Sequence, residues 1–382
     1  MPLMNEQNIP TPCFVCDLQL LEQNLQLLKY IQDKANIKIL LALKGFALKS
    51  SFDLCSKYLQ GCCASGLNEA KLAKEYFKKE IHTYSSAFKP DEFDEIVNIS
   101  DHIVFNSFSQ LTKYKNKLSD KNSIGLRINP QYSTVDVALY DPCGAYSRLG
   151  ITKDIFEQNI QIYKQNISLI EGFHIHALCE QNVEPFAKLL EKFEQNFGKY
   201  FKNLKWINFG GGHHITRDDY DIEGLIKLLS QFKTKYPHLQ IYLEPGEAIG
   251  WQTGYLISTV LDIVSNGIDI AILDSSAEAH MPDTLAMPYK ADIKGASKDP
   301  NKKPYKYRLA GNSCLAGDIM GDYSFNHKLQ IGDKIIFEDM IHYTMVKTTT
   351  FNGINLPSIA LKNNDQITIV STFGYNDYKS RI

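Results

Sequence analysis

Ile39-Leu40-Leu41-Ala42-Leu43-Lys44-Gly45-Phe46 is an apolar run that ends on a lysine and a glycine. Five apolar residues in succession read as a buried strand. A lysine closing such a strand delivers its amine to the strand's C-terminal end. Burial there favours the neutral amine, the form that condenses with a carbonyl. The same pattern also suits a lysine whose stem merely snorkels to water, so the rest of the chain has to decide.

Working outward, seven further runs of the same kind follow, at 61–65, 81–86, 102–106, 124–129, 172–178, 206–210 and 241–244. Between them, 68–77, 91–99 and 183–197 carry apolar residues at helical spacing. Eight strand-then-helix units predict an α/β fold whose parallel strands close into a (β/α)8 barrel; an open doubly wound sheet satisfies the count alone. After about residue 250 the texture changes. β-branched runs at 255–264, 268–273, 333–337 and 366–371 alternate with Gly-, Asn- and Asp-rich turns, which reads as an antiparallel β domain. Residues 290–306, with Pro300 and Pro304, read as an exposed loop. Thr11-Pro12-Cys13-Phe14-Val15-Cys16-Asp17 reads as a strand that joins the later β domain. The expected domains are therefore a barrel over 18–249 and a β domain built from 1–17 plus 250–382.

Composition bounds the class. The chain has 382 residues, enough for a barrel and a smaller partner. Apolar residues at 44% and charged residues at 22% suit a globular enzyme. A net charge of -2 gives no field for nucleic acid or an anionic membrane. No apolar run approaches a membrane span, and residues 1–7 lack the pattern of a secretion signal. Cysteines at 13, 16, 55, 62, 63, 143, 179 and 314 show no zinc spacing. Reduced thiols in the cytoplasm are the expectation.

Barrel chemistry gathers at the C-terminal ends of the strands. The predicted ends carry Lys44; Arg127; His174, His176 and Cys179; Gly210-Gly211-Gly212-His213-His214; and Glu244-Pro245-Gly246-Glu247. Pyridoxal phosphate would use each type. Three glycines let backbone N–H groups close on a phosphate, or form a flexible turn. A carboxylate such as Glu244 holds a pyridine nitrogen protonated, or caps a strand. His174 and His176 share one strand face, where an imidazole packs on a cofactor ring or serves as a hydrogen-bonded core residue. No metal is expected, because no carboxylate stands at ligand spacing from the histidines or Cys179.

The ordered set resembles the fold-type III, alanine racemase-like pyridoxal-phosphate decarboxylases, the group of ornithine, diaminopimelate and carboxynorspermidine decarboxylases. Ala42-Leu43-Lys44, Ala64-Ser65, Gly172-Phe173-His174-Ile175-His176, Gly210-Gly211-Gly212, Glu244-Pro245-Gly246, Cys314 followed by Asp318, and Tyr343 ahead of Phe351-Asn352-Gly353 stand in family order. Within the group, Ala42-Leu43-Lys44-Gly45-Phe46, His176-Ala177-Leu178-Cys179-Glu180, Gly212-His213-His214, Glu244-Pro245-Gly246-Glu247-Ala248 and Glu278-Ala279-His280-Met281-Pro282-Asp283 read like the branch acting on carboxylated polyamines. The resemblance implies a carboxy-lyase that binds pyridoxal 5'-phosphate through Lys44. His176 is then the ring-stacking residue, Gly210, Gly211, Gly212 and Gly246 the phosphate loops, Glu244 the partner of the pyridine nitrogen, Arg127 a support and Tyr343 a phosphate contact. It implies a homodimer with shared sites, in which Cys314 is donated near the substrate α-carbon. Asp318, Glu247, His280 and Asp283 are the expected substrate contacts.

Three departures stand out against ornithine-type enzymes. Glu247 replaces the phosphate-holding arginine after Glu-Pro-Gly, Cys179 replaces a serine and Cys62 replaces an acidic residue. Phosphate must then lean on glycine amides and Tyr343, and Glu247 either faces a polyamine tail or lines a solvated rim. A diaminopimelate or other basic amino-acid decarboxylase is the enzymatic alternative. A non-catalytic cofactor carrier, which would lack a second domain, is the other.

Overall fold

The computed structural model describes residues 8–135 and 137–382; the expectation about a secretion signal in residues 1–7 falls outside the described residues. The chain forms two compact units, one from the stretch up to Gln23 together with Gly250–Ile382, the other from Asn24–Ile249. The chain passes between them inside the helix Leu18–Ala35, several residues later than the expected boundary at 18. The first turn of that helix belongs to the sheet unit and is capped there, because Asp17 Oδ1 accepts from the backbone N–H groups of Gln19 and Leu20 at 3.0 and 3.3 Å.

In the sheet unit, β1 (Cys13–Asp17) is fully buried. It lies antiparallel to β10 (Gly254–Ser265) and parallel to β15 (Ser358–Asn363). The N-terminal strand thus joins the later β domain, as its sequence implies. Around it run β11 (Asp269–Leu273), β12 (Tyr305–Ala310), β13 (Ile319–Phe325), β14 (Lys334–Glu338) and β16 (Gln366–Ser371). Two pairs depart from the expected antiparallel pattern: β1 with β15, and β11 with β12, are parallel. Each joins strands separated by long crossovers, the connection parallel pairing requires.

The second unit is a closed barrel of eight parallel strands. They are β2 (Lys38–Ala42), β3 (Gly61–Ala64), β4 (Glu80–Tyr84), β5 (His102–Phe105), β6 (Ser123–Arg127), β7 (Gly172–His174), β8 (Trp206–Asn208) and β9 (Gln240–Leu243). Every strand coincides with one of the apolar runs, and β2 pairs with β9 to close the ring. The predicted helix over 68–77 becomes an α-helix, Leu67–Leu72, running into a wider turn, Ala73–Phe77. That turn seats Phe77 edge-on against Phe52, 5.5 Å away.

Trp206 fills the barrel centre with Leu40, Val104 and Tyr242. It fits because its neighbours on β6 and β7 lack side chains. A Cβ on Gly172 would lie 2.0 Å from the indole ring, and one on Gly125 2.4 Å. Below this layer Glu80 ties the floor. Its carboxylate contacts Lys38 Nζ at 2.9 Å, Tyr242 Oη at 2.7 Å, His82 Nε2 at 2.9 Å and His102 Nε2 at 3.3 Å. The two imidazoles stack 3.8 Å apart and 9° from parallel. Both imidazoles and the Lys38 ammonium thus meet the one carboxylate, a hydrogen-bonded plug at the floor of the barrel.

The indole packing yields a test. Gly172→Ala forces Trp206 out of its rotamer and should cost about 2–3 kcal/mol, within the range for overpacked cores. Urea denaturation of the variant checks this, and a loss under about 0.5 kcal/mol would contradict the packing account.

Candidate active site

The polar residues at the barrel's C-terminal end converge because each closes an apolar strand or stands just beyond one. Lys44 follows β2, Arg127 ends β6, His174 ends β7, Asn208 ends β8 and Glu244 follows β9. Strand alternation carries on through Ile175, which is fully buried away from the site, so that His174 and His176 point the same way.

Glu244 sits in a frame of donors. Oε1 accepts from Asn208 Nδ2 at 2.6 Å, and Oε2 lies 3.1 Å from His174 Nε2. Burial pushes the carboxyl pKa up, but its interaction with the His174 imidazole, helped by His82 and the Asn208 amide, outweighs this and holds the group well below the usual range. Burial drives His174 down, towards its neutral form. The consistent state is an ionised Glu244 receiving the Nε2–H of a neutral His174. Such a carboxylate can hold a proton on a nitrogen placed before it.

Lys44 Nζ lies 3.3 Å from His176 Nε2. The amine opens to solvent at the barrel end, yet protein atoms crowd it on its other sides. This desolvation lowers its pKa, with the Arg127 charge adding to the fall and Cys63, Glu244 and Cys179 opposing it. Arg127 Nη2 donates to the carbonyl of His176 at 3.3 Å, and its guanidinium rests 4.6 Å above the Tyr84 ring. Arg127 therefore supports the backbone that carries His176.

The triple glycine is dictated by close backbone approach. A Cβ at Gly210 would lie 2.5 Å from the Ile175 carbonyl oxygen, one at Gly211 2.3 Å from that of Glu244, and one at Gly212 2.0 Å from that of Leu178. Two of the three amides are already engaged. Gly210 N–H donates to Asn208 Oδ1 at 2.9 Å and Gly211 N–H to His176 Nδ1 at 3.0 Å. Among the described residues that leaves the Gly212 amide for a phosphate, fewer than the three the sequence suggests. Gly246 has a separate duty: its Cα stands where a Cβ on Gly45 would come within 2.9 Å, so the loops after β2 and β9 touch.

Glu247 Oε2 lies 3.3 Å from His214 Nε2. Glu180 completes a trio whose ligand atoms all fall within 4.8 Å of one another. The expectation that no carboxylate reaches the histidines therefore fails, since strand-end loops distant in sequence bring these groups together. Asn208, Tyr84 and Glu180 stand outside the set of site residues expected from sequence, and His214 stands at its expected strand end without a role assigned to it there. Of these, Asn208 carries a usable signal, as a polar residue closing an apolar run.

The remaining expected site residues lie in the sheet unit. Cys314 is exposed, and its backbone N–H donates to Asn352 Oδ1 at 2.8 Å. Asp318 is buried and accepts from the N–H groups of Ala277, Glu278 and Ser313 at 2.6, 3.3 and 3.2 Å. Its oxygens order that loop. His280 Nδ1 accepts from the Ser276 N–H at 3.3 Å and its Nε2 faces the Asn355 carbonyl at 3.1 Å. Asp283 pairs with Lys347 at 2.6 Å. Both are engaged within their own unit. Tyr343 opens the short helix Tyr343–Val346.

The chain is similar to known proteins over nearly its whole length. The family model described as "Pyridoxal-dependent decarboxylase, C-terminal sheet domain" matches residues 13–341. A carboxynorspermidine/carboxyspermidine decarboxylase of Campylobacter jejuni is 49% identical, covering 98% of this chain and 99% of its own. A carboxyaminopropylagmatine decarboxylase of Synechocystis is 45% identical, over 98% and 96%. The crystal structure of carboxynorspermidine decarboxylase from Campylobacter jejuni complexed with norspermidine superposes with a TM-score of 0.90 at 48% identity, over 98% and 100% of the two chains. With the donor-framed carboxylate, the desolvated lysine and the full-length match in place, the chain belongs to the family of pyridoxal-dependent decarboxylases.

Proposed function

We propose that the protein removes the α-carboxylate of carboxynorspermidine or carboxyspermidine, giving norspermidine or spermidine. The observation that carries the substrate class is Glu247 gathered with Glu180 around His214. Two carboxylates at that end suit the ammonium groups of a polyamine tail and oppose the distal carboxylate of diaminopimelate. The relatives at 49% and 48% identity support the same reading. The carrier alternative fits neither the family nor the presence of a sheet unit.

The donor set fits pyridoxal phosphate. Lys44 would hold its aldehyde carbon, Glu244 its ring nitrogen, His176 its ring face, and the Gly212 amide its phosphate. When bound, the cofactor supplies the sink for the electrons that carbon dioxide leaves behind. Glu244, ionised among its donors, would keep a proton on the ring nitrogen. Glu247 and Glu180 anchor the tail so that the carboxylated end is presented to Lys44. Cys314 is the proposed source of the proton that replaces the lost carboxylate. The resemblance supports a homodimer with shared sites, and the cytoplasm as its compartment. No helix among the described residues is long and apolar enough to cross a membrane.

A second reading, carboxyaminopropylagmatine as substrate, is favoured by the 45% identical relative. Decarboxylation rates measured side by side on carboxynorspermidine, carboxyspermidine, carboxyaminopropylagmatine, diaminopimelate and ornithine decide. The first two should exceed the last two in kcat/KM by at least about 10²-fold, the scale set by one attractive ion pair against one repulsive pair. Preference for diaminopimelate overturns the reading.

Glu244→Gln should lower kcat by about 10²-fold or more, because a neutral amide cannot stabilise a protonated ring nitrogen. Near-normal turnover would move that role elsewhere.

Mixing inactive Lys44→Ala with inactive Cys314→Ala protein should restore up to about a quarter of wild-type activity after subunit exchange. Half the dimers are then mixed, each with one of two sites intact. No recovery despite demonstrated exchange would mean that each chain builds its own site.

A further inference from the structure

His176 is hydrogen-bonded on both sides, and the two bonds together fix where its proton sits. The Gly211 N–H points at Nδ1 at 3.0 Å. A backbone amide only donates, so Nδ1 carries a lone pair. Burial, with the cationic charge of Arg127 adding to it, keeps the ring from taking a second proton. A neutral imidazole with a bare Nδ1 must then carry its hydrogen on Nε2, the atom 3.3 Å from Lys44 Nζ. An Nε2–H facing an ammonium would set donor against donor. Facing a neutral amine, it meets a lone pair. Turning the ring over would put carbon atoms at both positions and lose both bonds.

We infer that the Gly211 amide, by locking His176 as its Nε2–H tautomer, keeps the Lys44 amine uncharged in the cofactor-free enzyme and so poises it to condense with an aldehyde. His176 is thereby a positioning residue for Lys44, in addition to any contact it makes with a ring. The arrangement rests on the reading of Lys44 as the cofactor's attachment point only for its purpose; the hydrogen bonds exist without it.

The lock is rigid. Gly210, the residue before the donating amide, has φ +68°, and a Cβ there would lie 2.8 Å from His176 Nδ1 and 2.9 Å from its Cβ. The Arg127 guanidinium holds the His176 carbonyl from the other side at 3.3 Å. The other titratable and charged groups around the amine are Cys63 from β3, Arg127 from β6, Cys179 from the loop after β7 and Glu244 from beyond β9. Arg127 disfavours an ammonium, as the tautomer does. Glu244 favours one, and its charge is already shared with His174 and Asn208.

Competitive acetylation tests the inference on the full-length chain freed of cofactor. Acetic anhydride reacts only with unprotonated amines, so the pH dependence of Lys44 acetylation, read by mass spectrometry against an added lysine peptide, gives the amine's titration midpoint. In the native protein the midpoint should fall at least about one pH unit below the peptide's, which corresponds to about tenfold more label at a fixed pH below both. His176→Phe keeps a flat ring and removes the N–H, and its midpoint should rise by about one unit. His176→Gln, which retains an N–H donor, should recover at least half of that rise. An unchanged or lower midpoint in His176→Phe, or a Gln variant indistinguishable from the Phe one, overturns the proposal. Nitrogen-15 spectra of the histidine-labelled native chain give a second readout that needs no variant: a proton on Nδ1 of His176 would also overturn it. Neither measurement uses cofactor or substrate, so failure of the proposed decarboxylation and failure of the tautomer lock are separately visible.

Discussion

The catalytic end of the barrel depends on backbone touching backbone at the ends of β7, β8 and β9. Gly210, Gly211 and Gly212 each lie where a single added carbon would strike a neighbouring carbonyl oxygen, at 2.5, 2.3 and 2.0 Å. This close approach brings the Gly211 amide to His176 and the Gly210 amide to Asn208, which in turn donates to Glu244. The orientations of the imidazole and the carboxylate follow from main-chain geometry, which is stiffer than any arrangement of long side chains. Dry, donor-framed groups of this kind keep their charge state without reorganising.

Replacement of an arginine by Glu247 changes the electrostatics of the rim. An arginine would answer a phosphate dianion directly. Here a carboxylate stands instead, joined by Glu180 and with His214 against it. Negative charge at this end suits a cationic partner, which is the basis of the polyamine proposal. Under the proposed function, the charge that a relative uses to hold cofactor would serve the substrate here.

Much of this was legible in the sequence because barrel strands are short apolar runs with polar residues at one end. All eight runs became strands, and Lys44, Arg127, His174, His176 and Glu244 stood at their ends as written. Pairing between distant strands was not legible: nothing local in Cys13–Asp17 or Ser358–Asn363 says that the two lie parallel. Nor was the use made of the glycine amides, because whether an N–H meets a phosphate or an imidazole depends on what the next strand presents. The Glu180–His214–Glu247 trio was hidden for the same reason, since its members belong to three separate loops. The three backbone amides that Asp318 serves were hidden too, because two of them, those of Ala277 and Glu278, come from a segment distant in sequence.

Trp206 and the two glycines that admit it carry a consequence for how this sequence can drift. The indole occupies space left empty by Gly172, its partner across the β7–β8 pair, and by Gly125, one strand further on. None of the three positions can change alone. An alanine at either glycine requires a smaller residue at 206, and a smaller residue at 206 opens a hole that only a larger one at 125 or 172 can fill. Descendants of this chain should therefore exchange these three residues together or keep them all, so that the barrel's centre is inherited as one indivisible character.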